Sequence, residues 1–295
     1  MNRRYKYDEN LIRENSVNKY LNVSENRNPL LGIFRLLSGT VNCTDEFLNK
    51  KYKFRTNYFQ FPYVNNNKLK QSLFTDLFPD EVKISHLNGY FKIAKRNKKF
   101  YETIECELIK CLIANKTLNY LESFFYLYRV IEGINYSLPL IYASKMKDYS
   151  KSYDLLQKFF NNSKDGELAF FKKFIIEIFK DEDFFKTSIG INLDLLEIEE
   201  LKEKYYKSYL SLIIDKTKID DSTENEELKI TFIGYYEFII ELRNRYFHFL
   251  QGTWKENIKT TEVLYPDQFF KPLIDNGINW VAIVLFEVMK FDLDN

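Results

Sequence analysis

From Phe100 onward, apolar residues recur at the 3.6-residue period of a helix, and this pattern restricts the chain more than any other feature. It predicts helices over 100–114, 118–136, 139–147, 151–161, 166–181, 193–214, 228–250 and 268–291. Ser137 and Pro139 predict a stop and a restart, because proline suits a first helical turn and disfavours helix at the residue before it. Asp165, Asn192 and Asp267 are candidate N-caps. Lys216 to Glu227 is polar and charged and is expected to be a flexible loop. The expectation is mainly α: an all-α bundle with short connections over residues 96–295.

Residues 1–95 lack a long helical stripe and predict a small α+β region of unassigned role. Leu30 to Leu37 reads as a short helix. Tyr52 to Arg55 and Asn57 to Tyr63 are aromatic-rich and strand-like, closed by Pro62 and the Asn65-Asn66-Asn67 turn. Asn88-Gly89, between Val82–Leu87 and Tyr90–Ala94, predicts a β-hairpin, since a type I′ turn needs two positive φ angles. That register makes His86 a strand residue on a half-buried face.

Composition excludes several function classes. With 43 Lys+Arg against 42 Asp+Glu, the net charge is +1 over 295 residues, which argues against a general nucleic-acid-coating protein but leaves room for a local basic patch. Apolar residues at 45% and aromatics at 17% exclude wholesale disorder. Cys43, Cys106 and Cys111 form no C-x2-C pair, and His86 and His248 lie far apart, so a zinc site is not expected; a carboxylate-held Mg2+ or Ca2+ stays open on these counts, and no cofactor is expected. No EF-hand or P-loop spacing is present. The three cysteines read as packed or neutral thiols. The opening Met1–Lys6 lacks the apolar run of a secretory leader, and the apolar stretch Trp280–Phe286 is too short to span a bilayer. A cytoplasmic protein without a membrane partner is expected.

One segment concentrates the rare residue types. Glu241 to Leu250 holds two of the ten Arg and one of the two His. On a helical wheel centred on Ile239, Phe232, Tyr236, Tyr246, Phe247 and Leu250 lie within about 80° of zero, while Glu237, Glu241, Asn244, Arg245 and His248 fall between about 140° and 240°. Arg243 falls near 40°, inside the apolar arc, where a guanidinium needs a partner or an anion. Arg245 has an ordinary surface position beside Glu241. Arg243 and His248 sit about 140° apart on an ideal helix. They converge on one phosphate only if the helix is distorted or if two copies meet across a symmetric interface.

Arg243-Asn244-x3-His248, an R-x4-H pattern with a polar residue after the Arg on a late helix, resembles the signature of the HEPN superfamily. The resemblance covers about residues 100–295. It implies a HEPN-like bundle acting as a metal-independent endoribonuclease, of the toxin or antiviral abortive-infection kind, with an activating or regulatory protein partner. Arg243, Asn244 and His248 would be catalytic and Arg245 would bind substrate. RNA supplies its own nucleophile in the 2′-hydroxyl, an imidazole moves the proton, and an Arg stabilises the phosphate charge. In the family two motifs meet in one site. This chain holds one, since Arg96-Asn97 and Arg129 lack a following His, so a homodimer with a composite site is expected. Family members regulated through a Tyr two residues after the His differ from this chain, which has Leu250 there.

Other readings of the same residues stand beside these. Arg243 paired with a carboxylate such as Glu132 would only brace the bundle. His248 would then be a solvent-facing residue, and the chain a non-catalytic helical module for nucleotide sensing, dimerisation or partner binding. The run Lys95-Arg96-Asn97-Lys98-Lys99 reads as a solvated linker, or as a contact for an RNA backbone.

Overall fold

A computed structural model describes residues 4–9, 20–23, 27–60, 78, 81–160, 167–248 and 257–294. Asp165, the 65–67 turn and Leu250 lie outside them. Among the described residues the chain is mainly helical, with a small β region near its start and a second small sheet late in the chain.

The N-terminal sheet joins β1 (Tyr5–Glu9), β2 (Val41–Asp45) and β3 (Lys50–Lys53) in antiparallel order β1-β2-β3. Between β1 and β2 lies α1 (Pro29–Leu37), capped by the Asn28 side chain and buried along its whole length. Gly39 ends it at φ +66, where a Cβ would meet the Thr56 carbonyl at 2.5 Å, so this turn requires glycine. The buried Arg35 is held by neutral oxygens, among them Thr40 Oγ1 at 2.7 Å and the carbonyls of Leu21 and Thr40 at 2.6 and 2.8 Å.

The hairpin expected at 82–94 is instead a helix, α2 (Ile84–Ala94), with Asn88 and Gly89 in its middle. Burial explains the difference. Leu87 and Phe91, four residues apart, are both fully buried, whereas Ile93 is 48% exposed. Across an Asn88-Gly89 turn Leu87 and Phe91 would point to opposite faces, whereas a helix places both inward, so long-range packing overrides the local turn signal. His86 is accordingly not on a half-buried strand. It is exposed, and its Nδ1 accepts from the Lys83 amide at 3.3 Å in the first turn.

Next come α3 (Lys98–Lys116) and α4 (Tyr120–Lys145). They run antiparallel: Cys111 meets Ser123, Glu107 meets Arg129, and Ile104 packs where Gly133 has no side chain. The break expected at Ser137–Pro139 does not occur, and Pro139 lies inside one continuous helix. Proline removes one backbone donor, but the turns on both sides stay packed on their neighbours, so the helix continues. Then follow α5 (Tyr149–Phe160) and α6 (Glu167–Phe179).

The segment 183–231 departs most from a purely helical reading. β4 (Ser188–Asn192) pairs with β6 (Glu227–Thr231), which pairs with β5 (Ile219–Thr223), giving antiparallel order β4-β6-β5. The expected loop 216–227 therefore contains a strand, and the helix expected from 193 is α7 (Glu199–Leu212). Asn192 does act as a cap, but of the short 193–195 turn. The Thr231 hydroxyl accepts from the Gly234 amide at 3.2 Å and starts α8 (Phe232–Phe247), so the helix expected from 228 begins where the strand ends.

After the short α9 (Thr260–Val263), α10 (Pro266–Asp294) runs through the core parallel to α4. Phe270 meets Phe124, Gly277 meets Leu127, and Tyr142 stacks on Phe291 at 3.9 Å. Asp267 lies in the first turn of α10 rather than at its cap. Its carboxylate instead accepts from the Leu121 amide at 2.9 Å, at the start of α4. Residues 266–291 are long and apolar enough to cross a bilayer by length and composition, contrary to expectation, because the helix extends well past Trp280–Phe286. Of its apolar window, 72% is buried inside the fold, as in a core helix.

Trp280, 1% exposed, donates its indole N–H to the Phe232 carbonyl at 3.1 Å and stacks on Tyr236 at 5.3 Å and Phe232 at 5.5 Å. It thereby docks α8 on α10. Trp280→Ala should lower the unfolding free energy by about 3–5 kcal/mol, measured by urea denaturation.

Candidate functional site at the end of the eighth helix

The last two turns of α8 lie against the first half of α4, in opposite directions. Phe247 stacks on Phe124 with ring centroids 6.1 Å apart, and the Arg243 guanidinium lies over the Tyr128 ring at 4.8 Å. Residues four apart on one helix thus meet residues four apart on the other, the usual logic of helix faces in contact. Both rings on α4 are buried and form a firm base for the groups above them.

Arg243 has the contacts its wheel position demands. Its side chain is 26% exposed, and Nη2 reaches Glu132 Oε1 at 3.3 Å while Nη1 donates to Asn244 Oδ1 at 3.1 Å. An aromatic face, a carboxylate and an amide oxygen offset the desolvation of its partly covered charge. Glu132 is a carboxylate of the kind the wheel position of Arg243 calls for. Tyr128 carries no such signal in the sequence, although its spacing from Glu132 places both on one side of α4.

His248 stands just past the helix rather than within it. α8 ends at Phe247, and His248 is the C-cap with φ −110 and ψ 131, its amide donating to the Asn244 carbonyl at 3.3 Å. Its side chain is exposed. The wheel angle between Arg243 and His248 therefore does not apply, because the backbone turns into an extended conformation at the histidine. Arg243 and Asn244 touch each other, and no contact joins either side chain to that of His248 among the described residues.

Arg245 is turned to the other flank, where Nη1 donates to the Ser211 carbonyl at the end of α7 at 2.9 Å. Glu241, expected on a solvated face, is buried, and Glu237 pairs with Lys172 at 2.7 Å. The reason is α6, through Lys172, and the segment after α7, which lie against that side of α8. They leave a cavity of about 230 Å³ lined by Lys172, Asp215, Lys218, Glu237 and Glu241 with apolar neighbours. Phe247, 40% exposed beside His248, is an aromatic surface that the wheel had assigned to the core.

Among the described residues no group of three or more His, Cys, Asp or Glu is placed to hold a metal ion. No family model, curated protein or solved structure matches the chain.

Cys43 and Cys111 are both buried, and burial pushes each thiol up to about 12, with the Cys111 sulfur 3.4 Å from the Ser123 hydroxyl. Neither is available as a thiolate nucleophile near neutral pH. In native protein at pH 8, a thiol-reactive dye should label neither residue at an appreciable rate, read by mass spectrometry, and should label both once the chain is unfolded.

Proposed function

We propose that the chain is a metal-independent endoribonuclease with a HEPN-like helical domain, working in the cytoplasm as a toxin-like or antiviral defence effector. The observation that supports this most is the end of α8, where Arg243 and Asn244 are held together beside an exposed His248.

In the proposed reaction the ribose 2′-hydroxyl attacks phosphorus and the bond to the 5′-oxygen breaks. An imidazole accepts the 2′ proton or supplies one to the departing 5′-oxygen. The guanidinium holds the non-bridging oxygens, on which negative charge builds. The products are a 2′,3′-cyclic phosphate and a 5′-hydroxyl end. His248 is suited to proton transfer by its exposure, and Asn244 by its contact with Arg243 to orient the guanidinium. A homodimer would bring two such sets into one composite site, with Arg245 as a more distant contact for RNA. An activating partner would control access.

Arg243→Ala and His248→Ala should each lower RNA cleavage in EDTA by about 10²–10⁴-fold while the far-ultraviolet dichroism stays unchanged. Wild-type protein that leaves a panel of RNAs intact, with cells equally tolerant of wild type and both variants, would end the catalytic reading.

The Arg243–Glu132 pair favours a second reading, a non-catalytic module in which the arginine only joins α8 to α4. Glu132→Gln separates the two. If Arg243 binds phosphate, removing its competing carboxylate should tighten RNA binding, measured by fluorescence anisotropy. If the pair is only structural, RNA affinity should stay the same and stability should fall by less than about 1 kcal/mol, since both groups are partly exposed.

A further inference from the structure

The residues from Lys83 to Lys99 form one exposed basic ridge far from the end of α8. No acidic residue occurs between Glu81 and Glu102, while Lys83, Lys92, Lys95, Arg96, Lys98 and Lys99 all do, in a chain whose net charge is only +1. All six are exposed. The structure gives this run a shape that a hairpin would not. α2 passes into a single 3-10 turn over Lys95–Asn97, and α3 begins after Asn97 leaves helical geometry at φ −102 and ψ 31. Lys92, Lys95 and Arg96 thus take the i, i+3, i+4 spacing of one helical face, and Lys98 and Lys99 follow in the first turn of α3.

Two observations set this ridge apart from an ordinary solvated surface. Many exposed lysines elsewhere sit beside carboxylates, as in Lys158–Glu177 and Lys207–Glu203, and those with no such partner among the described residues, such as Lys116 and Lys180, are scattered rather than grouped within eight residues. Within the ridge only Lys98 has such a neighbour, Glu102 at 3.7 Å, and Lys92, Lys95, Arg96 and Lys99 have none among the described residues. Moreover, Lys98 and Lys99 open α3 with no acidic residue in its first turn, against the preference of a helix N-terminus. Like charges one turn apart repel, so the folded chain holds here an arrangement that a polyanion would relieve. The same face continues on α2 through Asn88 and Gly89. A Cβ at Gly89 would meet nothing within 4 Å, leaving an open, polar floor beside the cations.

The geometry points to a second RNA contact: we infer that this ridge binds the phosphate backbone of single-stranded RNA, without reading its sequence. Phosphates spaced along a flexible strand match a row of closely spaced cations, and such cations grip the backbone rather than the bases. Because α3 and α4 are antiparallel, the ridge sits toward the far end of α4 from the residues that meet Arg243 and Phe247. It therefore holds RNA outside the proposed cleavage site. This extends the ribonuclease reading, but it rests on binding alone.

The test uses the full chain carrying His248→Ala, so that RNA is not consumed, and a short fluorescein-labelled single-stranded RNA followed by anisotropy over a range of salt. Adding Lys95→Glu, Arg96→Glu and Lys99→Glu should weaken binding more than about tenfold at low salt and flatten the plot of log K against log salt by about 2, three phosphate contacts being lost. The corresponding Gln variants should give a smaller loss in the same direction, and Gln at the paired Lys202 and Lys207 should change nothing. Removing like charges should leave the thermal midpoint no lower than before, so failure to fold is checked separately. Unchanged affinity and slope in the Glu variant, or binding to phosphatidylserine vesicles with none to RNA, would overturn the inference. RNA cleavage that needs His248, together with an intact affinity in the Glu variant, would remove the ridge and keep the nuclease. Salt-dependent binding lost in the Glu variant, with no cleavage by wild type, would do the reverse.

Discussion

The burial of α10 is the constraint on which the remaining elements depend. A helix apolar over most of its circumference is stable in water only when other elements cover it on several sides. α4 lies along it in parallel, and α8 is fastened to it through Trp280. The segment after β3 is joined by Asn279, whose amide donates to the carbonyls of Tyr58 and Gln60 at 2.6 and 2.8 Å. Tyr58 in turn donates to Asp275 at 2.8 Å, and Asn276 reaches the Gly190 carbonyl of β4 at 2.9 Å. One helix therefore ties both small sheets to the bundle through polar groups spaced along its surface. Each of these bonds satisfies a carbonyl or hydroxyl that would otherwise be costly to bury.

That arrangement determines what the end of α8 presents. With α8 docked on α10 and α4, Arg243 is placed over Tyr128 and within reach of Glu132. A guanidinium bound this way is well oriented but not free. In the proposed reaction a phosphate would compete with the carboxylate, since both are anions that suit the same fork of N–H donors. His248 is oriented by the opposite means: the helix ends before it, and its ring meets solvent. The candidate site therefore combines one held group and one exposed group, with Asn244 meeting the first through its side chain and the second only through its backbone carbonyl.

The bundle was largely legible because helical burial leaves a periodic imprint. α1, α3, α6 and α10 lie close to where apolar spacing places them. The failures share a cause. Asn88-Gly89 has strong turn chemistry, yet Leu87 and Phe91 gain more from burial against the rest of the chain than the turn gains locally. Pro139 carries a helix-breaking signal that packing on both sides of it outweighs. β4, β5 and β6 are five residues each, and β5 is exposed and polar, so no apolar alternation marks it. The site was half legible for related reasons. Rare residue types drew attention to Arg243, Asn244 and His248, but a wheel assumes an unbroken helix and an uncovered flank. It could not place His248 beyond the last turn, nor show that the segment after α7 covers Glu241 and engages Arg245.

By itself, the sequence determined a mainly helical chain with a substantial core, an anomalous arginine on the apolar side of a late helix, and a run of unopposed positive charge after Glu81. These are properties of residue type and spacing, and local chemistry carries them. Tertiary structure alone decided which anion the arginine meets, where α8 stops, and that the basic run lies on consecutive helical segments rather than beside a hairpin. Each of those outcomes depends on residues far apart in the chain, such as Glu132 with Arg243 or Asn28 with Phe91, whose contact is set by how the elements pack on α10.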